Sequence, residues 1–217
     1  LNSLEVDSVN LSFDGRKILS NIYLKCHTKD IVALLGRNGS GKSSLLKIIF
    51  GSLKGENQSV RLNRNYSPVL FKVPQAISYL PQDGFVPNYF CFEDLVKIFQ
   101  LSEKLDVILS IEEIDKYKST RFKHLSGGIK KLMEIMTILY SSSKFILLDE
   151  PFSFLAPILV EKIIPHIESQ SLHKGIILTD HQYETVLSIC NKYYVMNNSA
   201  ITQIHDVSQL NDLGYLN

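Results

Sequence analysis

Tryptophan is absent from the 217 residues, and cysteine occurs only at Cys26, Cys91 and Cys190. The three thiols are widely spaced with no CxxC pair, which argues against a disulfide scaffold or a thiolate metal site and fits free thiols in a reducing compartment. Charge of either sign is not in excess: the formal net charge is +1, so there is no basic footprint for a nucleic-acid partner. No apolar run approaches the roughly 18 residues needed to span a bilayer, and Leu1 to Asn10 lacks the basic-then-apolar order of a signal sequence. The six histidines are scattered, so they suggest no metal cluster. What the chain does have is 45% hydrophobic residues, enough for a full core and most simply one domain with a subsidiary lobe.

The most specific local signal is Gly36-Arg37-Asn38-Gly39-Ser40-Gly41-Lys42-Ser43, a GxxxxGKS phosphate-binding loop. Ile31 to Leu35 before it is a continuous apolar run, as in a parallel strand buried on both faces. Ser43 to Phe50 after it reads as a helix with Leu45, Leu46, Ile49 and Phe50 apolar, closed by Gly51. The glycines let the backbone approach an anion closely. Successive N–H groups of about Asn38 to Ser44 then surround a phosphate at the positive end of the helix dipole. Lys42 would neutralise the β/γ oxygens, and the Ser43 hydroxyl would hold Mg2+.

Phe145 to Leu148 is a second buried strand, with Asp149 and Glu150 at its carboxyl end, where ligands bind in open α/β sheets. Successive residues at a strand end point different ways. Asp149 can therefore reach the Mg2+ water shell while Glu150 faces a water in line with the γ-phosphate. An Asp-Glu pair before Pro151 is also a common helix start, since acids suit a first turn. The phosphate loop earlier in the chain favours the hydrolytic assignment.

Leu125-Ser126-Gly127-Gly128 carries the argument to a family. With the phosphate loop and the Asp149-Glu150 pair, the chain resembles the nucleotide-binding domain of ATP-binding cassette (ABC) ATPases from near its first residue to about Asp206, and this tetrapeptide resembles the family's signature motif. The resemblance implies that Phe13 stacks on adenine, that Gln82 in Tyr79-Leu80-Pro81-Gln82 contacts Mg2+ and the attacking water, and that His181 in Leu178-Thr179-Asp180-His181 contacts the γ-phosphate. Each position has a physical rationale. Phe13 ends the alternating run Leu4, Val6, Val9, Leu11, which is typical of an antiparallel strand, and an exposed aromatic there offers a flat face to a base; one more sheet core residue is the other reading. His181 follows the apolar strand Gly175 to Leu178 at its carboxyl end, where imidazole can donate to developing phosphate charge.

The signature leads into a helix from Lys130 to Tyr140 with Leu132, Ile135, Met136 and Leu139 on one stripe, so Ser126, Gly127 and Gly128 stand at a helix N-terminus, an anion site. One chain then holds two phosphate sites for one triphosphate. The resemblance implies a head-to-tail dimer in which the signature of one copy closes over the ATP of the other, with transmembrane permease subunits as partners and a cytoplasmic place on the inner face of the membrane. A cassette ATPase that serves as an assembly or scaffold factor without transport is the alternative. The residues around His181 are also similar to cassettes of lipid and lipopolysaccharide export systems.

Between Gln82 and Leu125, Phe92, Leu95, Val96 and Phe99 form a helical stripe with Glu93 and Asp94 at its start, and Leu101, Leu105, Ile108 and Leu109 suggest a second short helix. The expected fold is α/β: a P-loop core with a mostly parallel sheet, an N-terminal antiparallel β-subdomain, and a helical subdomain inserted over about 83–140 of a single domain 1–217. Phe85, Val86, Pro87, Tyr89 and Phe90 lie in a predicted loop and form either the lobe's own small core or an exposed groove; the resemblance implies a groove for a permease helix. Three features depart from the family pattern. Ile129 replaces a polar residue, Ala156 stands where Asp is usual, which puts the link between the two active sites in doubt, and Pro165 should kink or end the helix that contains Ile158, Val160, Ile163 and Ile164.

Overall fold

The computed structural model describes residues 1–206 and 209–212. Residues 207–208 and 213–217 of the expected 1–217 domain lie outside the described residues. The alternating run at the start becomes strand β1 (Ser3–Phe13), antiparallel to β2 (Arg16–His27). Its apolar positions change parity, from Leu4 and Val6 to Val9 and Leu11, yet all four are buried. The register slips between Val6 and Val9, and Ser8 there takes φ 54°. An inserted residue of this kind returns the apolar set to the same face.

Strand β3 (Ile31–Gly36), buried along its whole length, leaves this ribbon for a second sheet, and helix α1 (Lys42–Phe50) follows it. As expected, Gly51 ends α1, its amide donating to the Lys47 carbonyl at 2.9 Å. Strands β4 (Asn57–Leu62) and β5 (Asn65–Tyr66) complete a four-stranded sheet in the order β2-β1-β4-β5. Strand β6 (Ile77–Leu80) returns the chain to the second sheet. Helices α2 (Phe92–Ile98), α3 (Leu105–Leu109), α4 (Glu112–Tyr117) and α5 (Gly127–Tyr140) then precede β7 (Phe145–Asp149). The chain continues with α6 (Pro157–Ser171), β8 (Gly175–Thr179), α7 (Tyr183–Ile189), β9 (Lys192–Asn197), β10 (Ala200–Ile204) and α8 (Gln209–Asp212). The six-stranded sheet has the order β10-β9-β3-β8-β7-β6, with only the β10–β9 pair antiparallel.

This sheet separates two apolar cores. Ile31, Ala33 and Leu35 of β3, Ile146 and Leu148 of β7, and Ile176 and Leu178 of β8 face the helices. Val32, Leu34, Phe145, Leu147 and Ile177 face α1 and the antiparallel sheet. Burial on both faces is why these strands read as unbroken apolar runs. The inserted helices have no separate core: Phe92, Leu95, Ile108, Ile114 and Phe122 join Leu132 and Met136 of α5 in the helix-side core. Helix α5 starts at Gly127, earlier than the apolar stripe alone indicates, because Ser126 caps it. Among the described residues no helix is long and apolar enough to cross a membrane.

Of the two outcomes expected at Pro165, a kink or an end of the helix, the end does not occur. Helix α6 runs on from Pro157 to Ser171. Leu159, Val160, Ile163 and Ile167 hold one face in the core, while Pro165 and Glu161, whose carbonyl loses its donor, lie on the exposed side. Water can satisfy that carbonyl, so burial outweighs the lost bond. Pro165→Ala restores the bond and is expected to stabilise the protein by about 1–3 kcal/mol, a rise of several degrees in thermal midpoint. An unchanged or lower midpoint would mean that the proline is already accommodated without cost.

Candidate nucleotide site

The loop between β3 and α1 is shaped by its glycines. Gly41 has φ 104°, and a Cβ there would lie 2.9 Å from both Ile18 Cγ2 and Leu19 Cδ2, so only glycine lets β2 close on the loop. Lys42 Nζ donates to the Gly36 carbonyl at 2.7 Å and to the Arg37 carbonyl at 3.1 Å. Burial pulls the pKa of this ammonium below the usual lysine value, and the carboxylates of Glu150 and Asp149 oppose the shift. Ser40 Oγ is buried within the loop with no hydrogen-bond partner.

At the end of β7 the two acids point apart, as expected from their adjacency. Asp149 is 1% exposed. Its Oδ1 accepts from Ser43 Oγ at 3.0 Å and from Thr179 Oγ1 at 2.9 Å, and its Oδ2 accepts from the Tyr79 hydroxyl at 2.9 Å. Glu150 turns the other way: Gln82 Nε2 donates to its Oε2 at 2.9 Å, Ser153 Oγ donates to the same oxygen at 3.2 Å, and His181 Nε2 lies 3.1 Å from its Oε1. Glu150 takes φ 48°, a conformation costly for a residue with a Cβ, and its amide is held by the Thr179 carbonyl at 2.9 Å. Neither acid caps a helix, since α6 begins only at Pro157.

Phe13, Asn38, Gly39, Gly41, Lys42, Ser43, Ser44, Gln82, Glu150 and His181 share the walls of one cavity of about 470 Å³. Phe13 is 49% exposed at the end of β1, which removes the reading of it as a sheet core residue. Gly36 ends β3, and Arg37 and Ser40 lie on the loop's other side, facing a separate depression. Ser126, Gly127 and Gly128 are not among the cavity's walls. Ser126 and Gly127 are exposed at the start of α5, where Ser126 Oγ accepts from the Ile129 amide at 3.3 Å. Ile129 itself packs partly buried against the helix-side core. Ala156 occupies the N-cap position of α6 without a side-chain cap bond. In the 85–90 loop, Phe85, Val86 and Phe90 pack on the core while Tyr89 is exposed, and Phe85, Val86 and Pro87 also line a groove of about 520 Å³ with Phe122 and Phe154.

Sequence reasoning passed over Tyr79, Thr179 and Ser153, which hold the two acids, and Asp180, which holds the turn beyond them. The available signal was a polar side chain at the carboxyl end of an apolar strand, as Thr179 is at the end of β8. Asp180 accepts from the amides of Phe152, His181 and Gln182 at 2.8, 2.7 and 3.0 Å and so fixes the turn that carries His181. Burial raises its carboxyl pKa, against the pull of these amides.

Fold and cavity together define a P-loop nucleotide-binding domain, and comparison with known proteins narrows the class. The family model described as ABC transporter matches residues 19–153. The chain belongs to the ABC transporter family, as an ABC ATPase nucleotide-binding domain. It is 27% identical to the lipopolysaccharide export system ATP-binding protein LptB of Haemophilus influenzae, over 93% of this chain and 89% of that one. It is 25% identical to the ABC transporter ATP-binding protein YtrB of Bacillus subtilis, over 96% and 74% respectively. Among solved structures, the ATP-binding subunit of an ABC transporter superposes with a TM-score of 0.85 at 20% identity, covering 98% of this chain and 93% of that one. A bacterial Atm1-family ABC exporter with ATP bound gives 0.83 at 19% identity, covering 97% of this chain and 40% of that one.

Thr179→Val removes one donor from the buried Asp149. It should destabilise the fold by about 1–3 kcal/mol and lower ATP turnover by about tenfold, whereas Thr179→Ser, which keeps the hydroxyl, should retain most of both. Thermal melts and steady-state ATPase assays on the pair decide the matter: Val and Ser behaving alike would remove Thr179 from this role.

Proposed function

We propose that this chain is the energy-transducing subunit of a membrane transporter, hydrolysing ATP while paired head to tail with a second copy and docked on transmembrane permease subunits at the cytoplasmic face of the membrane. The observation that carries the reading is the convergence of Gln82, Glu150 and His181 on one wall of the cavity that has Lys42 and Ser43 in its floor. Phe13 offers its exposed face to the adenine, and the amides of the loop from Gly36 to Ser44 receive the phosphates. Glu150 is placed to take the proton as water attacks the γ-phosphate, and His181 to donate to the oxygen that gains charge. Gln82 orients the water. Its amide and the His181 ring both now engage the Glu150 carboxylate, so the incoming water and phosphate must take over these bonds.

The donor set fits Mg2+: Ser43 Oγ, the Asp149 carboxylate and the Gln82 amide oxygen are hard oxygen ligands, and the first two already meet at 3.0 Å. Among the described residues no cluster of three His, Cys, Asp or Glu exists, which suits a cation held mainly through substrate phosphates. Held by these residues with ATP, an Mg2+ ion would supply positive charge to offset that of the phosphates.

Ser126, Gly127 and Gly128 supply a second anion site that this chain's own cavity does not use, which supports closure by another copy. The assembly-factor reading predicts the same ATPase without a membrane partner, so co-purification with an integral membrane protein discriminates the two.

Glu150→Gln should preserve ATP binding and suppress turnover by about a hundredfold or more, because the amide cannot accept the water's proton, and the variant should accumulate as an ATP-bound dimer in light scattering. Near wild-type turnover would take Glu150 out of its role. Ser126→Arg should spare ATP binding to the monomer and block the dimer, whereas Lys42→Ala should weaken binding itself by about 1.5–3 kcal/mol. Loss of monomer binding in Ser126→Arg, measured by equilibrium titration, would overturn the two-copy site.

A further inference from the structure

Two charged side chains on α5 are buried and take no part in the chemistry above. Lys131 is 4% exposed and Glu134 is 5% exposed, one helical turn apart. A charge removed from water needs compensating partners, and both find theirs in the loop that carries Gln82. Lys131 Nζ donates to the carbonyls of Pro81 at 3.2 Å and Gln82 at 3.0 Å. Glu134 Oε1 accepts from the amides of Phe85 at 2.9 Å and Val86 at 3.0 Å. The loop turns between these two grips at Gly84, whose φ is 80°, and a Cβ on Gly84 would lie 2.7 Å from both carboxylate oxygens of Glu134. One helix thus holds both ends of the turn through main-chain groups, and the same helix begins at Ser126.

We infer that Lys131 and Glu134 are positioning residues that clamp the 81–86 turn to the signature helix and so set where the Gln82 amide meets Glu150. The clamp makes α5 and Gln82 a single mechanical unit: a displacement of the Ser126 end shifts the Pro81 and Gln82 carbonyls with it, and through them the 2.9 Å bond from Gln82 Nε2 to Glu150. The inference rests on the catalytic reading of Gln82 and Glu150 given above. Apolar side chains could fill the same volume but could not donate to two carbonyls at one end of the turn and accept from two amides at the other.

The test is a double-mutant cycle between Glu134→Ala and Gln82→Ala, with ATP affinity and turnover measured separately. Glu134→Ala alone should lower kcat about tenfold with Kd for ATP within about twofold of wild type, and Glu134→Gln, which keeps an acceptor oxygen, should recover most of the loss. In the Gln82→Ala background the same substitution should cost less than about twofold, because the side chain it acts through is gone. Losses that multiply in the double mutant would overturn the inference. Should Glu134→Ala fail to fold, Gly84→Ala displaces the carboxylate from the loop side, and the same non-additivity with Gln82→Ala is expected. Amide exchange at Phe85 and Val86 gives a readout that needs no turnover: both should exchange faster in Glu134→Ala, and unchanged protection would also refute the clamp. Wild-type levels of hydrolysis in Glu150→Gln would instead refute the catalytic reading, leaving the exchange result to decide the clamp alone.

Discussion

A carboxylate with almost no solvent contact has to be hydrogen-bonded at every turn, and Asp149 meets that demand with three hydroxyls from three elements. Ser43 comes from α1, Tyr79 from β6 and Thr179 from β8, so one side chain ties the carboxyl edge of the sheet to the phosphate loop. The arrangement is costly if any partner is lost, since an unsatisfied acceptor in an apolar setting forfeits its whole hydration. Burial and this carboxylate push the Tyr79 hydroxyl far above the ordinary tyrosine pKa, which keeps it a donor. Glu150, the Gln82 loop and the His181 turn all lean on the edge that Asp149 holds together.

The parts of the molecule that could be read from sequence are those where one physical rule dominates. Strands β3, β7 and β8 are buried on both faces, so their residues are apolar without interruption, and the phosphate loop needs Gly, Lys and Ser at fixed places. The groups at strand ends were found because a parallel sheet gathers its ligands there. Other features depend on competition between elements far apart in the chain. Val9 and Leu11 read as a continuation of Leu4 and Val6, yet a bulge at Ser8 is needed to keep them on one face. Pro165 reads as a kink or an end of its helix, yet its ring sits on the exposed side of a helix that runs on, held by Ile163 and Ile167. Tyr79 and Thr179 read as ordinary strand residues because their partner carboxylate is distant in sequence. The Lys131 and Glu134 contacts were equally hidden, since charged residues in a helix ordinarily face water.

The inserted helices illustrate how a subsidiary lobe can be joined to its host. Phe92, Ile108, Ile114 and Phe122 merge with α5 and α6 in one apolar core, while the Gln82 loop crosses from sheet to lobe with its polar main chain gripped by α5. Helix α2 is fixed at its start in a similar way, where Asp94 accepts from the Cys91 amide at 2.9 Å. Apolar contact gives the lobe its adhesion, and polar contact gives it orientation. The groove beside the loop, lined by Phe85, Val86 and Pro87, lies where both kinds of contact meet.

Lys42 already has its ammonium against the carbonyls of Gly36 and Arg37. A phosphate reaching it, as proposed, would not find a free cation but would displace two internal acceptors, so its affinity would be a difference between two sets of bonds. On the proposed reading, an anion that bonds the Lys42 ammonium would have to outcompete two carbonyls of the loop itself, so charge density as well as shape would decide what the loop accepts.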